Sequence, residues 1–212
     1  MHSSSPPSRA RYHHGDLRNA LIDAAVAGVR LNGPDAVVLR NVARQVGVSH
    51  NAGYRHFASR DDLLAAVAAR GLAELAQAME IALAAVAPGS DPAVVARGRL
   101  RAVGRAYVTY AMSESGMFRT MWAGAGDPSA PPEPEARGAS GLGAYQLLNE
   151  ALDDLVRVGA LPASRRRYSE IAAWSAVHGL ASLVIDGPLD HLPAAAIDGA
   201  LDRLCDVVDA GL

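Results

Sequence analysis

Residues 39–57 read LRNVARQVGVSHNAGYRHF. Leu39, Val42, Ala43 and Val46 recur at helical spacing, which predicts a short helix over 39–46. Gly47 suits the left-handed position just past a helix end. Ser49 stands where it can cap a second short helix over 50–56. Val42, Ala43, Val46, Val48 and Phe57 supply the small apolar pack that would hold the two helices crossed. This is a helix-turn-helix arrangement, whose second helix enters the major groove of DNA. His50, Asn51, Tyr54, Arg55 and His56 would face outward, and the second helix carries no acid and no lysine.

Working outward, a first helix is expected over 16–31, with Leu17, Leu21, Ala24, Ala25 and Val29 on one face. Asn32-Gly33-Pro34-Asp35 stops it. Ser59 is placed to cap a long helix over 60–86, with Asp61 and Asp62 in its first turn, where the helix dipole favours anions. Further helices are expected over 91–113, 116–123, 136–158, 165–186 and 193–210, punctuated by Pro and Gly. Residues 124–135, rich in Pro, Gly and Ala, read as a mobile loop. No alternating strand pattern occurs, so the expected fold class is all-α. The expected organisation is a flexible arm over 1–12, a helix-turn-helix domain over 13–60 and a helical domain over 61–212.

Charge is divided along the 212 residues. The first sixty hold eight arginines against three acids, whereas the remainder holds 12 arginines against 19 acids, and lysine is absent. A basic head on an acidic body points to a polyanionic partner for the head. Half of the chain is apolar, enough for a sizeable core. The single cysteine, Cys205, excludes an internal disulfide framework and a Cys-based zinc cluster. The N-terminal stretch lacks the apolar centre of a secretory signal, and Arg70, Glu74 and Glu80 interrupt the alanine-rich run 63–87, so a cytoplasmic protein without a membrane span is expected. The adjacent His13 and His14 lack a third ligand, and no metal or cofactor is expected.

From Tyr12 to about Ala69 the chain resembles the TetR family of transcriptional regulators. The resemblance rests on Leu39-Arg40-Asn41-Val42-Ala43, Gly47-Val48-Ser49, Tyr54-Arg55-His56-Phe57, Ser59 and Leu63-Leu64, with Tyr12-His13-His14-Gly15-Asp16-Leu17-Arg18 as lead-in. It implies that Ser49, Tyr54 and His56 hold the phosphate backbone and that Arg60 reaches phosphate from the start of the fourth helix. Arg40 would meet phosphate or a base edge, and His50 and Asn51 open the recognition helix. An Asn amide can bind adenine N6 and N7 together, worth ~1–3 kcal/mol of discrimination. Two positions depart from the family pattern. Val38 stands where relatives carry a capping Ser or Thr, at a cost of roughly 1 kcal/mol. Gly53 lies inside the recognition helix, either permitting close approach to DNA or weakening the helix. The arm residues Arg9 and Arg11 are candidates for minor-groove contact.

One short helix reads few bases, so a two-fold dimer with its recognition helices about 34–36 Å apart is expected. Candidate dimer residues are Ile171, Val177, Leu180 and Val184 on one helix, with Ile197, Leu201, Leu204 and Val208 on the last. Trp174-Ser175-Ala176-Val177-His178-Gly179 resembles the Trp-His-Gly signature of one TetR C-terminal domain type. The resemblance also implies an effector pocket, for which the candidates are Tyr107, Tyr110, Phe118, Met121, Trp122, Tyr145, Trp174 and His178. The implied partners are a palindromic double-stranded operator, a second copy of the chain and a small apolar effector that releases a repressor from DNA. A ligand-independent or architectural DNA binder is the alternative. An enzyme finds little support. Cys205 has no base beside it in sequence, and no strand precedes the nucleotide-loop-like stretch 138–143.

Overall fold

The computed structural model describes residues 14–122 and 127–211. The expected arm, the lead-in residues Tyr12 and His13, and the first residues of the 124–135 loop lie outside them. The described residues form nine α-helices and no strand.

Helix α1 (His14–Asn32) ends where Gly33, at φ 74°, breaks the turn ahead of Pro34. A single 3-10 turn, Pro34–Ala36, leads to α2 (Leu39–Gln45). Val38 gives α2 no side-chain cap. Gly47, at φ 75°, reverses the chain, and the Val48 N–H donates to the Ala43 carbonyl at 3.0 Å. Ser49 caps α3 (His50–Tyr54) by accepting from the Ala52 N–H at 3.2 Å. Helix α4 (Arg60–Ala84) opens on a capping box in which Ser59 and Asp62 satisfy each other's backbone N–H at 3.0 Å.

Leu21, Val29, Leu39, Val42, Phe57 and Leu63 are buried together as the core of this head. Gly53 belongs to the same packing. It is buried, and a Cβ there would sit 3.2 Å from the Ala43 Cβ. The glycine therefore lets α3 lie close on α2; it faces the protein rather than DNA.

The body comprises α5 (Pro92–Ser113), α6 (Ser115–Met121), α7 (Ala144–Arg157), α8 (Ser169–Ile185) and α9 (Ala194–Gly211). Asp91 caps α5, accepting from the Ala93 N–H at 2.8 Å. Helix α6 joins head to body. Met117 is fully buried in the head core, whereas Phe118 and Met121 belong to the body core. Gly116 rests directly on α1, since a Cβ there would lie 2.2 Å from the Val29 carbonyl oxygen. Arg30 of α1 adds ion pairs to Glu74 of α4 at 2.9 Å and to Glu114, just ahead of α6, at 2.8 Å.

Two helices start later than the sequence pattern suggests. Helix α7 begins at Ala144 instead of 136, because residues 138–143 form a loop around a carboxylate of α4. Glu80 accepts from the Ala139 and Ser140 N–H groups at 2.9 Å and from the Ser140 hydroxyl at 2.5 Å. Burial acts to raise the Glu80 carboxyl, but these hydrogen bonds outweigh it and hold the group below its usual range. The stretch that superficially suggests a nucleotide loop thus spends its amide donors on the protein's own carboxylate. Helix α8 begins at Ser169 instead of 165, after a 3-10 turn at Ala163–Arg165 and a left-handed Tyr168 at φ 67°.

Candidate nucleic-acid interface and internal cavity

Ser49, His50, Asn51, Tyr54 and Arg55 are exposed on α3 and its cap, as are Arg40 and Arg44 on α2. His56 is half-buried. The His50 and Tyr54 rings, one turn apart, stack with centroids 4.4 Å apart, which limits the freedom of both side chains. No acidic residue occurs from Ala36 to Arg60, so the charged groups this surface presents are all basic.

Arg60 is placed differently from the other candidates. Its Nε donates to the Val37 carbonyl at 2.9 Å and its Nη2 to the Pro34 carbonyl at 2.7 Å. Asp35 lies 3.5 Å from the same guanidinium. These bonds brace the start of α4 against the entry to α2. Because two charge-assisted bonds to backbone carbonyls are lost, Arg60→Ala is expected to cost the fold about 2 kcal/mol, read as a lowered midpoint in urea unfolding. A surface cation used only on phosphate would leave that midpoint unchanged.

A cavity of about 490 Å³ lies between α4, α5 and the segment 127–136, and reaches α8 and α9. Of the candidate pocket residues, Tyr107, Met121, Trp122, Tyr145 and Trp174 line it. Tyr110, Phe118 and His178 do not. Tyr110 instead donates its hydroxyl to Glu74 at 3.1 Å, and Phe118 is buried behind the wall. His178 braces a lining residue from outside. Burial lowers its pKa, and its Nδ1 shares a 2.7 Å hydrogen bond with the Tyr107 hydroxyl. The Tyr107 oxygen in turn accepts from the Trp174 indole N–H at 3.2 Å. Burial raises the Tyr107 phenol strongly, so it stays protonated.

A histidine with a lowered folded pKa contributes stability above its unfolded value of about 6.5, and that stability is lost as pH falls through the folded value. Acidification from neutral pH should therefore lower the Tm of the wild type more steeply than that of His178→Gln. Parallel Tm–pH curves would contradict the assignment.

The pattern of aromatic residues missed most of the wall. Helix α4 contributes a stripe of Ala and Leu, the segment 127–133 forms one side, and α9 contributes Leu204, Cys205 and Val208. Alanine in a sequence reads as helix propensity; only the packed structure shows that its small volume leaves space. The basic residue of the wall is matched within the chain. Arg101 pairs with Asp209 at 3.1 Å and with Asp206. The Cys205 thiol is pushed up by burial and lies free. Among the described residues no group of three His, Cys, Asp or Glu side chains gathers in a way that would hold a metal ion.

The candidate dimer residues divide three ways. Val184, Ile197 and Leu201 are buried within the protomer's own interior. Val177, Leu204 and Val208 line the cavity, and Leu180 packs against the body core. Only Ile171 is exposed, at 50%. It begins a stripe with Ser175, Gly179 and Leu183 at successive turns of α8, and a Cβ added at Gly179 would meet nothing. Val207 is exposed on the outer side of α9. Helical period alone cannot separate a face turned to a partner from one turned to the same chain's core.

Comparison with known proteins matches this architecture. No curated protein sequence matches the chain. A protein of unknown function from Rhodococcus sp. RHA1 is 27% identical, with a TM-score of 0.69 over 96% of this chain and 99% of that one. The TetR family transcriptional regulator PfmR from Thermus thermophilus is 21% identical, with a TM-score of 0.53 over 91% of this chain and 98% of that one. RolR, solved with resorcinol, is 17% identical, with a TM-score of 0.56 over 92% of this chain and 94% of that one. These last two likenesses concern the fold. Residues 21–67 match the family described as bacterial regulatory proteins, tetR family, and residues 100–208 match the tetracyclin repressor-like C-terminal domain. With a helix-turn-helix head and a helical body both matched, the chain belongs to the TetR family of DNA-binding transcriptional regulators.

Proposed function

We propose that the chain acts as a homodimeric repressor that sets two copies of α3 into the major groove of a palindromic operator and leaves it when a small apolar molecule enters the body cavity. The observation that carries this reading is α6. Met117 is buried in the head core, and one turn later Met121 lines the cavity. A ligand that favours a different arrangement around Met121 acts on the head through a single short helix. Release requires that the ligand bind the DNA-free arrangement more tightly than the DNA-bound one; tight binding alone shifts nothing. That RolR was solved with resorcinol supports a ligand-responsive reading.

In this reading Arg40, Ser49, Tyr54, Arg55 and His56 hold the backbone and fix register, while His50 and Asn51 meet base edges. The α8 stripe from Ile171 to Leu183, with Val207 of α9, forms the pairing surface. The working division is a DNA-binding unit over residues 13–60 and an effector and dimerisation unit over 61–212. The core of the head also draws on Leu63, Val67 and Met117. No described helix is long and apolar enough to cross a membrane, and we place the protein in the cytoplasm with the DNA it regulates.

A gel-shift against DNA flanking its own gene tests the reading. It predicts a sequence-selective shift that weakens steeply with salt and is abolished by a cavity ligand. A shift of equal strength on unrelated DNA, or one that no cavity ligand affects, would count against the repressor.

A further inference from the structure

The shape and charge of the cavity narrow its occupant. The α4 wall consists of Ala65, Ala68, Ala69, Leu72, Leu75 and Met79. These residues recur at helical spacing over four turns, so the stripe runs about 21 Å at 1.5 Å per residue. A volume of about 490 Å³ distributed along that stripe, and extending past Gly104 to Cys205, makes a long, narrow space. A wide chamber would need the same volume gathered over two turns.

The wall offers an anion no unmatched partner, since Arg101 is its one basic residue among the described residues. Arg101 is held by Asp206 and Asp209, and Asp127 accepts from the Ser129 N–H at 2.8 Å. A carboxylate placed inside would lose its hydration with nothing to replace it. The Trp122 indole N–H is buried and has no partner among the described residues; it is an uncharged donor. The Tyr107 hydroxyl is spent on His178 and Trp174.

Resting on the ligand-responsive reading above, we infer that the effector is a molecule without negative charge, built on an unbranched alkyl chain and lying along α4. The chain is the part recognised. Its affinity follows its length until the stripe is filled.

Both tryptophans of the protein, Trp122 and Trp174, line the cavity, so their fluorescence reports occupancy without DNA. The full-length protein is titrated with hexanol, octanol, decanol and dodecanol, then with decanoate and adamantanol. The expected result is a gain of about fourfold in affinity per added methylene, from the transfer of each CH₂ out of water. Decanol should bind at least tenfold more tightly than decanoate or adamantanol. Ala65→Leu, at the exposed end of the stripe, should flatten the series at a shorter chain while leaving hexanol unchanged.

Affinity independent of chain length would overturn the inference. So would adamantanol or decanoate binding more tightly than decanol. An absence of fluorescence change with every alcohol would overturn it as well. The regulatory reading fails separately: alcohols that bind with the expected length dependence but leave a gel-shift intact would uphold the alkyl site and contradict ligand-driven release.

Discussion

Gly116→Ala is expected to lower the Tm by roughly 6–12 °C, taking about 3 kcal/mol of lost stability for a chain of this length. The added methyl would lie 2.2 Å from the Val29 carbonyl oxygen. Neither partner is a flexible side-chain end: one is the α6 backbone and the other the α1 backbone. Helix α6 must therefore lift off α1, which draws Met117 out of the head core and strains the Arg30 pairs to Glu74 and Glu114. Gly71→Ala provides the contrast. There the new methyl would meet Met121 side-chain atoms at 2.7 and 2.9 Å, which can swing aside. A smaller loss is expected for Gly71→Ala, together with altered ligand binding because Met121 lines the cavity. A Gly116→Ala protein with a Tm within a degree or two of wild type would show that the head and body are not in contact there.

Asn51→Ala should weaken binding to the selected operator by about 1–3 kcal/mol per half-site while leaving thermal stability within about 0.5 kcal/mol. Asn51 is exposed at the start of α3, and its loss disturbs no packing. If it reads adenine with both amide atoms, the variant should also lose discrimination at one base pair in each half-site. Arg40→Ala should differ in kind. A phosphate contact lowers affinity uniformly across sequences and reduces the salt slope by about 1. Equal losses on operator and non-specific DNA for Asn51→Ala would reassign that residue to the backbone.

Much of the head was legible in the sequence because its signals are local. Gly47 needs a left-handed backbone, Ser49 and Ser59 satisfy orphan amides within three residues, and Leu39, Val42 and Ala43 share one face. What stayed hidden depends on distant partners. Gly53 looks like a helix-weakening residue until Ala43 is placed across from it. Nothing beside Arg60 in sequence points to its bonds with the Pro34 and Val37 carbonyls. The start of α7 is displaced by Glu80, some sixty residues away in sequence. Val184, Ile197 and Leu201 have the spacing of an interface, yet they face their own chain. In the cavity, the aromatic side chains pointed to the right region, but its length is set by alanines on α4 whose role is to be small.

Selection of bound sequences from randomised duplex DNA by the purified protein examines the pairing of two recognition helices most directly. The account predicts an inverted repeat whose half-site centres lie a whole number of helical turns apart, with an adenine in each half-site that Asn51→Ala no longer enriches. Recovery of a single unpaired half-site, or of no preferred sequence at all, would contradict it.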